Sequence, residues 1–431
     1  MSRTGRFLIV FLLLTGLSRT PLQAQGIQTL TLKQAEDIAL RNHPRIRVAQ
    51  LTASAAQNVV TEVRSAYFPL AYGSLTGAGA ESGSRIAAGG LNNPIIYNRY
   101  ANGVTVSQLV TDFGRTGKLV QSSRLNAEAQ QEDVEATRAD ILLQTDRAYF
   151  NALRAQSVLK VTQETVKARQ LVVDQVTALA KSQLKSGLDV SFANVNLSEA
   201  KLLVVQAQNE LQAAFADLSK ALGYPDQQSF ELREEPMPAA PSLDPSQLIS
   251  QAMHDRPELA GQRFSRDAAQ EFAKAERDLW FPTVSFLGSA GWIPYHQSTL
   301  KDSYAAAGLN INIPIFNGRL FSARRAEADL RAQAEDQRIK VLENRVAHDV
   351  RVAWLNANTA FQRVDLTSKL LDQANEALKL AQARYKLGLS SIIEFSQAQL
   401  NETQAEIQEA GAKYDYQIQT AVLSYELGSL P

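Results

Sequence analysis

The side chains able to do chemistry are few and scattered. The four histidines, His43, His254, His296 and His348, fall on different elements without the short spacings that gather ligands onto one metal. Asp112-Phe113-Gly114 has the letters of the kinase triplet whose aspartate holds magnesium, but no glycine-rich or catalytic loop accompanies it and it sits at a strand end. With three methionines and no cysteine there is no soft-ligand path for copper or silver, no thiol nucleophile, no disulfide and no acylated amino-terminal cysteine. No nucleophile, metal or phosphate constellation remains, so the expectation is a protein that is not an enzyme and takes no cofactor. The 44 basic and 44 acidic side chains cancel, which gives no field for nucleic acid. With 45% hydrophobic and only 20% charged residues the chain is too apolar to be disordered.

The architecture that such a chain must serve shows in its self-similarity. His43-Pro44 pairs with Arg256-Pro257, and Phe68-Pro69 with Phe281-Pro282, both at an offset of 213 residues. Asp112-Phe113-Gly114-Arg115 answers Phe316-Asn317-Gly318-Arg319, and each copy closes on Leu-Gly, at Leu222-Gly223 and Leu427-Gly428. The expected division is a signal peptide at 1–24, a first structural repeat at 25–224, a proline-rich connector at 225–245 and a second repeat at 246–431. Arg3 and Arg6 before the apolar run 7–14, with Ala24 at a small-residue cut site, mark the signal peptide. Beyond it no apolar stretch is long enough for a membrane helix. A membrane location would therefore have to be reached by strands.

Each repeat is predicted to open with a helical stretch (32–66 and 246–278), continue through a strand pair (66–113 and 279–316) and end in a long helical hairpin (115–222 and 319–427). In the second copy a seam runs at strict 4-3 spacing from Val346 through Val350, Ala353, Ala357, Ala360 and onward to Tyr385. That 3.5-residue period predicts a left-handed coiled coil. The first copy carries the seam more weakly, with Thr145, Thr162 and Arg169 inside it. A proline-free segment of about 70 residues would make a rod of roughly 100 Å. Gly187 and Gly388 are predicted to break the rods and turn the chain back. The strand ending at Ile313 alternates Ala305, Ala307, Leu309, Ile311 and Ile313 on one face with Tyr304, Ala306, Gly308, Asn310 and Asn312 on the other. Tyr67, Phe68, Phe113, Trp280, Phe281 and Phe316 crowd the strand-to-helix junctions, where an aromatic girdle at a membrane interface would lie. Four strands cannot close a barrel, and an open edge in lipid costs several kcal/mol per unpaired backbone group, so chains would have to pool their strands.

At this point the chain resembles the TolC-like outer-membrane efflux proteins. The resemblance is carried by Arg256-Pro257-Glu258-Leu259, Trp280-Phe281-Pro282, Ile313-Pro314-Ile315-Phe316-Asn317-Gly318 and Gly388-Leu389-Ser390, all doubled in altered form in the first copy. It implies a mixed α and β membrane protein, a homotrimer whose chains each give four strands to one 12-stranded β-barrel continued by a coiled-coil helical tunnel in the periplasm. It also implies a passive exit duct for efflux or type I secretion, set in outer-membrane lipid, that docks to a periplasmic adaptor protein and an inner-membrane transporter. A rival reading, a periplasmic coiled-coil adaptor or scaffold without a barrel, is opposed by the alternation at Ala305–Ile313.

The resemblance further implies a gate at the periplasmic mouth. Tyr385 matches the family's latch tyrosine and Glu394 its first acid, while Gln397 stands where a second acid is expected and Ser390 where an arginine is expected. The latch's first-copy partners do not transfer either, since Ala193 occupies the matching acidic position. What remains is one ring of three Glu394 carboxylates, which in a narrow mouth would favour cations. Tyr385 also ends the coiled-coil seam, where packing alone would account for it. The tips, Gly187-Leu188 and Gly388-Leu389-Ser390, resemble the turns the family presents to adaptors, with an exposed leucine supplying apolar contact.

Overall fold

The computed structural model describes residues 28–85, 95–241 and 244–430. The segment read as a signal peptide and the loop 89–94 lie outside the described residues. Two runs of elements follow one another in the same order. The first is β1 (Gln28–Leu30), α1 (Leu32–Asn42), α2 (Pro44–Arg64), β2 (Leu70–Ala78), β3 (Arg99–Thr111), α3 (Arg115–Lys181) and α4 (Gly187–Ala221). The second is β4 (Phe230–Leu232), α5 (Pro245–Asp255), α6 (Pro257–Arg277), β5 (Thr283–His296), β6 (Ser303–Asn312), α7 (Leu320–Lys386) and α8 (Ile392–Glu426). The long helices α3 and α7 have 67 residues each and the return helices α4 and α8 have 35.

Two expectations are corrected. The stretches 32–66 and 246–278 are not single helices: each breaks before a proline, at His43 and Arg256, whose ψ values of 121° and 123° are extended. Pro44 and Pro257 lack the N–H that would continue the helix and hold the preceding residue out of the helical region. The first break also uses a histidine, since His43 Nδ1 accepts a hydrogen bond from the Arg45 amide at 3.3 Å. The proline-rich segment 225–245 is not a bare connector either. It contains β4, which pairs in parallel with β1 through Gln28↔Phe230, Thr29↔Glu231 and Leu30↔Leu232. A strand of three residues is too short to show an alternation in sequence. Around this ribbon lies the main apolar core, where Leu30, Tyr149, Phe150, Leu218, Leu222 and Phe230 are buried. The Tyr149 hydroxyl lies 2.8 Å from the Leu30 carbonyl and 2.6 Å from that of Arg233, on either side of the ribbon.

The remaining strands form one antiparallel sheet in the order β2-β3-β5-β6. Cross-strand rows separate its two faces. Tyr72, Thr105, Ser289 and Ala306 share one face, and Gly73, Val104, Ala290 and Ala305 share the other. The polar face adds Ser74, Ser285, Asn310 and Asn312, and the Thr105 and Ser289 hydroxyls are hydrogen bonded across it at 3.2 Å. On the apolar face Leu75, Val104, Trp292, Leu309 and Ile311 are 52–76% exposed. The alternation predicted for β6 holds, with Ile313 one residue beyond the strand.

The sheet runs directly into the rods. Between β3 and α3 the chain turns on two left-handed residues, Phe113 (φ 57°) and Gly114 (φ 98°), and between β6 and α7 on Gly318 (φ 60°) and Arg319 (φ 69°). Asp112 accepts from the Gly114 and Thr116 amides at 3.2 and 2.7 Å, so the kinase-like triplet is a capping turn. Along α7 the seam is buried at Val346, Val350, Ala353, Ala357, Ala360, Ala381 and Tyr385. In the half nearer the sheet α3 packs on α2 and α6, and α6 on α7. In the other half the packing runs α4 on α3, α3 on α8 and α8 on α7.

Candidate functional site: the hairpin tips

Both rods turn by the same device, at different residue types. At the second tip Gly388 has φ 73°, and the Leu389 amide donates back to the Arg384 carbonyl at 2.8 Å. At the first tip the left-handed residue is Gln183 (φ 59°), and the Leu184 amide donates to the Leu179 carbonyl at 2.9 Å. These are helix ends of the Schellman type, in which the residue after the cap takes the left-handed region. Gly187, predicted to turn the first rod, is instead the first residue of α4 and has no positive φ. The first-tip counterpart of Leu389 is therefore Leu184, not Leu188. All three are 65–70% exposed, and Leu387 joins them at 75%.

Each return helix then starts on a serine cap. Ser186 Oγ accepts from the Asp189 amide at 3.2 Å, and Ser391 Oγ accepts from the Glu394 amide at 3.3 Å. Asp189 and Glu394 thus occupy equivalent places, third in their helices, where a carboxylate meets the free amides and positive dipole end. The first copy does carry an acid there. Ala193, which stands where an acidic latch partner is expected, lies one turn further on, buried in the core of the tips. The signal that would have found it is the Ser-x-x-Asp box at 186–189.

Tyr385 is 5% exposed and belongs to that core with Val176, Leu197, Ile392 and Phe395. Its ring stacks on Phe395 with centroids 5.4 Å apart and planes at 13°. Against the ring lies the ammonium of Lys185, 3.9 Å from the centroid, reaching across from the first tip. Burial, and then the charge of Asp189, pushes the Tyr385 hydroxyl above its ordinary pKa. That hydroxyl is buried without a hydrogen-bond partner among the described residues. The structure thus brings Tyr385 to Lys185 and Asp189, a cation and an acid that sequence spacing did not connect to it.

Glu394 is paired within its own hairpin, 3.1 Å from Arg384 Nε, and Arg384 also donates to the Leu389 carbonyl at 3.4 Å. Gln397 is exposed and bonded to Asn401 at 2.9 Å. Ser390 has a buried hydroxyl with no hydrogen-bond partner among the described residues. Above the tips the two hairpins are tied by Asn196 to Ser396 at 2.6 Å and by Arg169 to Gln399. Arg169, a misfit in the first seam, is buried there, and burial lowers its pKa.

The same fold occurs in known proteins. The outer membrane efflux protein family matches the chain twice, over residues 36–224 and 248–429. Outer membrane protein TolC of Salmonella enteritidis is 24% identical over 421 residues, covering 93% of this chain and 83% of the relative. Outer membrane protein OprJ of Pseudomonas aeruginosa is 24% identical over 382 residues, covering 85% and 78%. Among solved structures, the Campylobacter jejuni CmeC outer membrane channel superposes with a TM-score of 0.77 at 18% identity, over 92% of this chain and 85% of that one. Vibrio cholerae VceC gives 0.78 at 17% identity, over 92% and 96%. At such identities the superpositions speak for the fold. The doubled family match, over both repeated runs of elements, makes this chain a member of the outer membrane efflux protein family.

Proposed function

We propose that the chain is an outer-membrane channel, the exit duct of a tripartite efflux or type I secretion system, opened by a periplasmic adaptor and an inner-membrane transporter. One observation carries the reading: a four-stranded sheet, exposed along nearly all of β2 and β6, has an apolar face, a polar face and two edges unpaired among the described residues, and runs straight into rods of 67 residues. A sheet with a bare apolar face belongs in lipid, and its edges need partners there. Three copies of four strands would close one barrel of twelve, with β6 of one chain against β2 of the next. A scaffold without a barrel has no use for such a sheet.

The rods favour the same assembly. At the two ends of the helical layer, α4 exposes Leu188, Val195, Leu202 and Val205, and α7 with its cap residue exposes Leu366, Leu370, Leu380 and Leu387. Both stripes fall on positions of a 4-3 repeat, with Ser191, Ser198, Gln373, Ala377 and Arg384 at the positions between, so α7 of one copy can pack against α4 of another and close a tube. We read the units as two structural repeats, 25–224 and 246–431, on either side of the segment 225–245. The tip cluster around Tyr385 and Glu394 would stand at the periplasmic mouth. There Lys185 supplies from the first hairpin the cation that Ser390 does not, and the exposed tip leucines would meet the adaptor. Purified mature protein in mild detergent should sediment as a trimer and form channels in planar bilayers. A monomer without conductance would refute the duct.

A further inference from the structure

Neither Gly103 nor Gly291 has a positive φ, so the backbone conformation does not ask for glycine at either place. The ring of Tyr304 does so at Gly103, and at Gly291 it does so together with the Asn102 carbonyl. The three residues form one cross-strand row, Gly103↔Gly291↔Tyr304, on the polar face of the sheet. A Cβ added at Gly291 would overlap the Asn102 carbonyl oxygen of β3 and lie 2.6 Å from Tyr304 Cε1 and Cζ, and one added at Gly103 would overlap the Tyr304 hydroxyl and lie 2.9 Å from the Ala290 carbonyl. The tyrosine therefore leaves β6, crosses β5 and ends over β3, flat against the wall. A strand side chain ordinarily stands perpendicular to its sheet.

We infer that Gly103 and Gly291 are positioning residues that seat the Tyr304 ring against the barrel wall and so keep the outer end of the duct wide for bulky cargo. The inference rests on the proposed duct, in which the polar face lines the bore and Tyr304, second residue of β6, lies near the hairpin end away from the rods. Symmetry would place three such rings in one belt. Filling a seat would raise each ring from the wall by the length of its side chain, and pore diameter decides what passes. The expected phenotype is thus a size cut-off, not loss of the channel.

The chain has no cysteine, so single cysteines can report on access from outside. Ser285→Cys lies on the polar face six residues from Gly291 along β5, opposite Asn310 of β6, and Ala305→Cys lies on the other face. Intact cells carrying the protein in their outer membrane are treated with a small and a bulky membrane-impermeant maleimide. Ser285→Cys should react with both. Adding Gly103→Val should slow the bulky reagent by about tenfold and leave the small one unchanged, and adding Tyr304→Ala to that pair should restore the rate. Gly103→Ala, a smaller change with the same overlap, should act in the same direction if Gly103→Val does not reach the membrane. An unchanged bulky-reagent rate, or a loss that Tyr304→Ala does not reverse, overturns the inference while the duct stands. Labelling of Ala305→Cys but not Ser285→Cys overturns the assignment of the faces, and the duct with it.

Discussion

The ammonium of Lys185 stands 3.9 Å from the centroid of the Tyr385 ring, so one hairpin tip grips the other across the two halves of the chain. A cation over an aromatic face contributes about 0.5–2 kcal/mol, more as water is excluded. If this grip holds the mouth narrow, Lys185→Met should raise conductance in planar bilayers, and Tyr385→Leu should do the same. Tyr385→Phe should leave conductance as it was, because the hydroxyl has no hydrogen-bond partner among the described residues and the ring alone makes the contact. Parent-like conductance in both Lys185→Met and Tyr385→Leu would show that the grip is packing without gating.

Arg384 changes what is expected of the Glu394 ring. The pair is 3.1 Å apart, with 56% and 47% of the side chains exposed, a setting in which an ion pair contributes about 0–1 kcal/mol. In the proposed trimer, three paired carboxylates would attract cations less than three bare ones. Glu394→Gln should therefore weaken cation preference and block by multivalent cations, whereas Arg384→Gln should strengthen both. Reversal potentials in a salt gradient read the sign directly, and an unchanged Glu394→Gln channel removes this residue from the gate.

Docking should follow the geometry of the turns. Leu184 and Leu389 occupy the same step of the two helix ends, 70% and 66% exposed, and burying a leucine fully contributes about 1.5–3 kcal/mol. Leu184→Asp with Leu389→Asp should abolish capture of the cognate adaptor in a pull-down while gel filtration still shows trimers. Leu188→Asp should cost less, since Leu188 lies inside α4, on the stripe assigned to a neighbouring copy. Capture that survives the double change would move the docking surface away from the tips.

How much of this was legible depended on how local the cause was. The α7 seam and the β6 alternation could be read because each residue on the buried or apolar face repeats the same choice. The α3 seam was blurred by Thr145 and Arg169, whose polar groups are satisfied inside it, by the Ile141 carbonyl at 2.8 Å and by Gln399. Pairing of β1 with β4 joins residues some two hundred positions apart, and nothing local announces it. Lys185 over Tyr385 is likewise a product of the packed hairpins. The first tip was misplaced because Gly187 offered an obvious turn residue, and the chain turned on Gln183 instead.

Two carboxyls above the tips make stability fall as pH rises. Burial, followed by the charge of Glu36, pushes Asp146 up to about 8, and burial, followed by Glu402, pushes Glu406 up to about 7. A carboxyl raised on folding keeps its proton in the native chain after the unfolded chain has lost it. Its contribution is therefore complete below the ordinary carboxylate range and disappears as pH climbs through the folded value. Melting temperature should decline from about pH 5 to about pH 8, with Asp146 responsible for most of the slope because it is 3% exposed. Glu406, more open to water, should matter less. Asp146→Asn should flatten the upper part of the profile and Glu406→Gln the lower part. A melting temperature that rises over this range would contradict both assignments.

The two turns provide the last test, because they ask one conformation of different residues. A left-handed residue with a side chain costs roughly 1–2 kcal/mol that glycine avoids. Gln183 bears that strain at φ 59°, and Gly388, at φ 73°, does not. Gln183→Gly should thus stabilise the first tip by about 1 kcal/mol, and Gly388→Ala should destabilise the second by a similar amount. Gly187→Ala should be neutral or slightly stabilising, since it opens a helix at an ordinary φ with nothing within 4 Å of an added Cβ. Amide hydrogen exchange at residues 180–190 and 385–395 would resolve the two tips separately. If Gly187→Ala loosens the first tip while Gln183→Gly leaves its protection unchanged, the turn lies at Gly187 and the assignment of Leu184 to the docking surface fails with it.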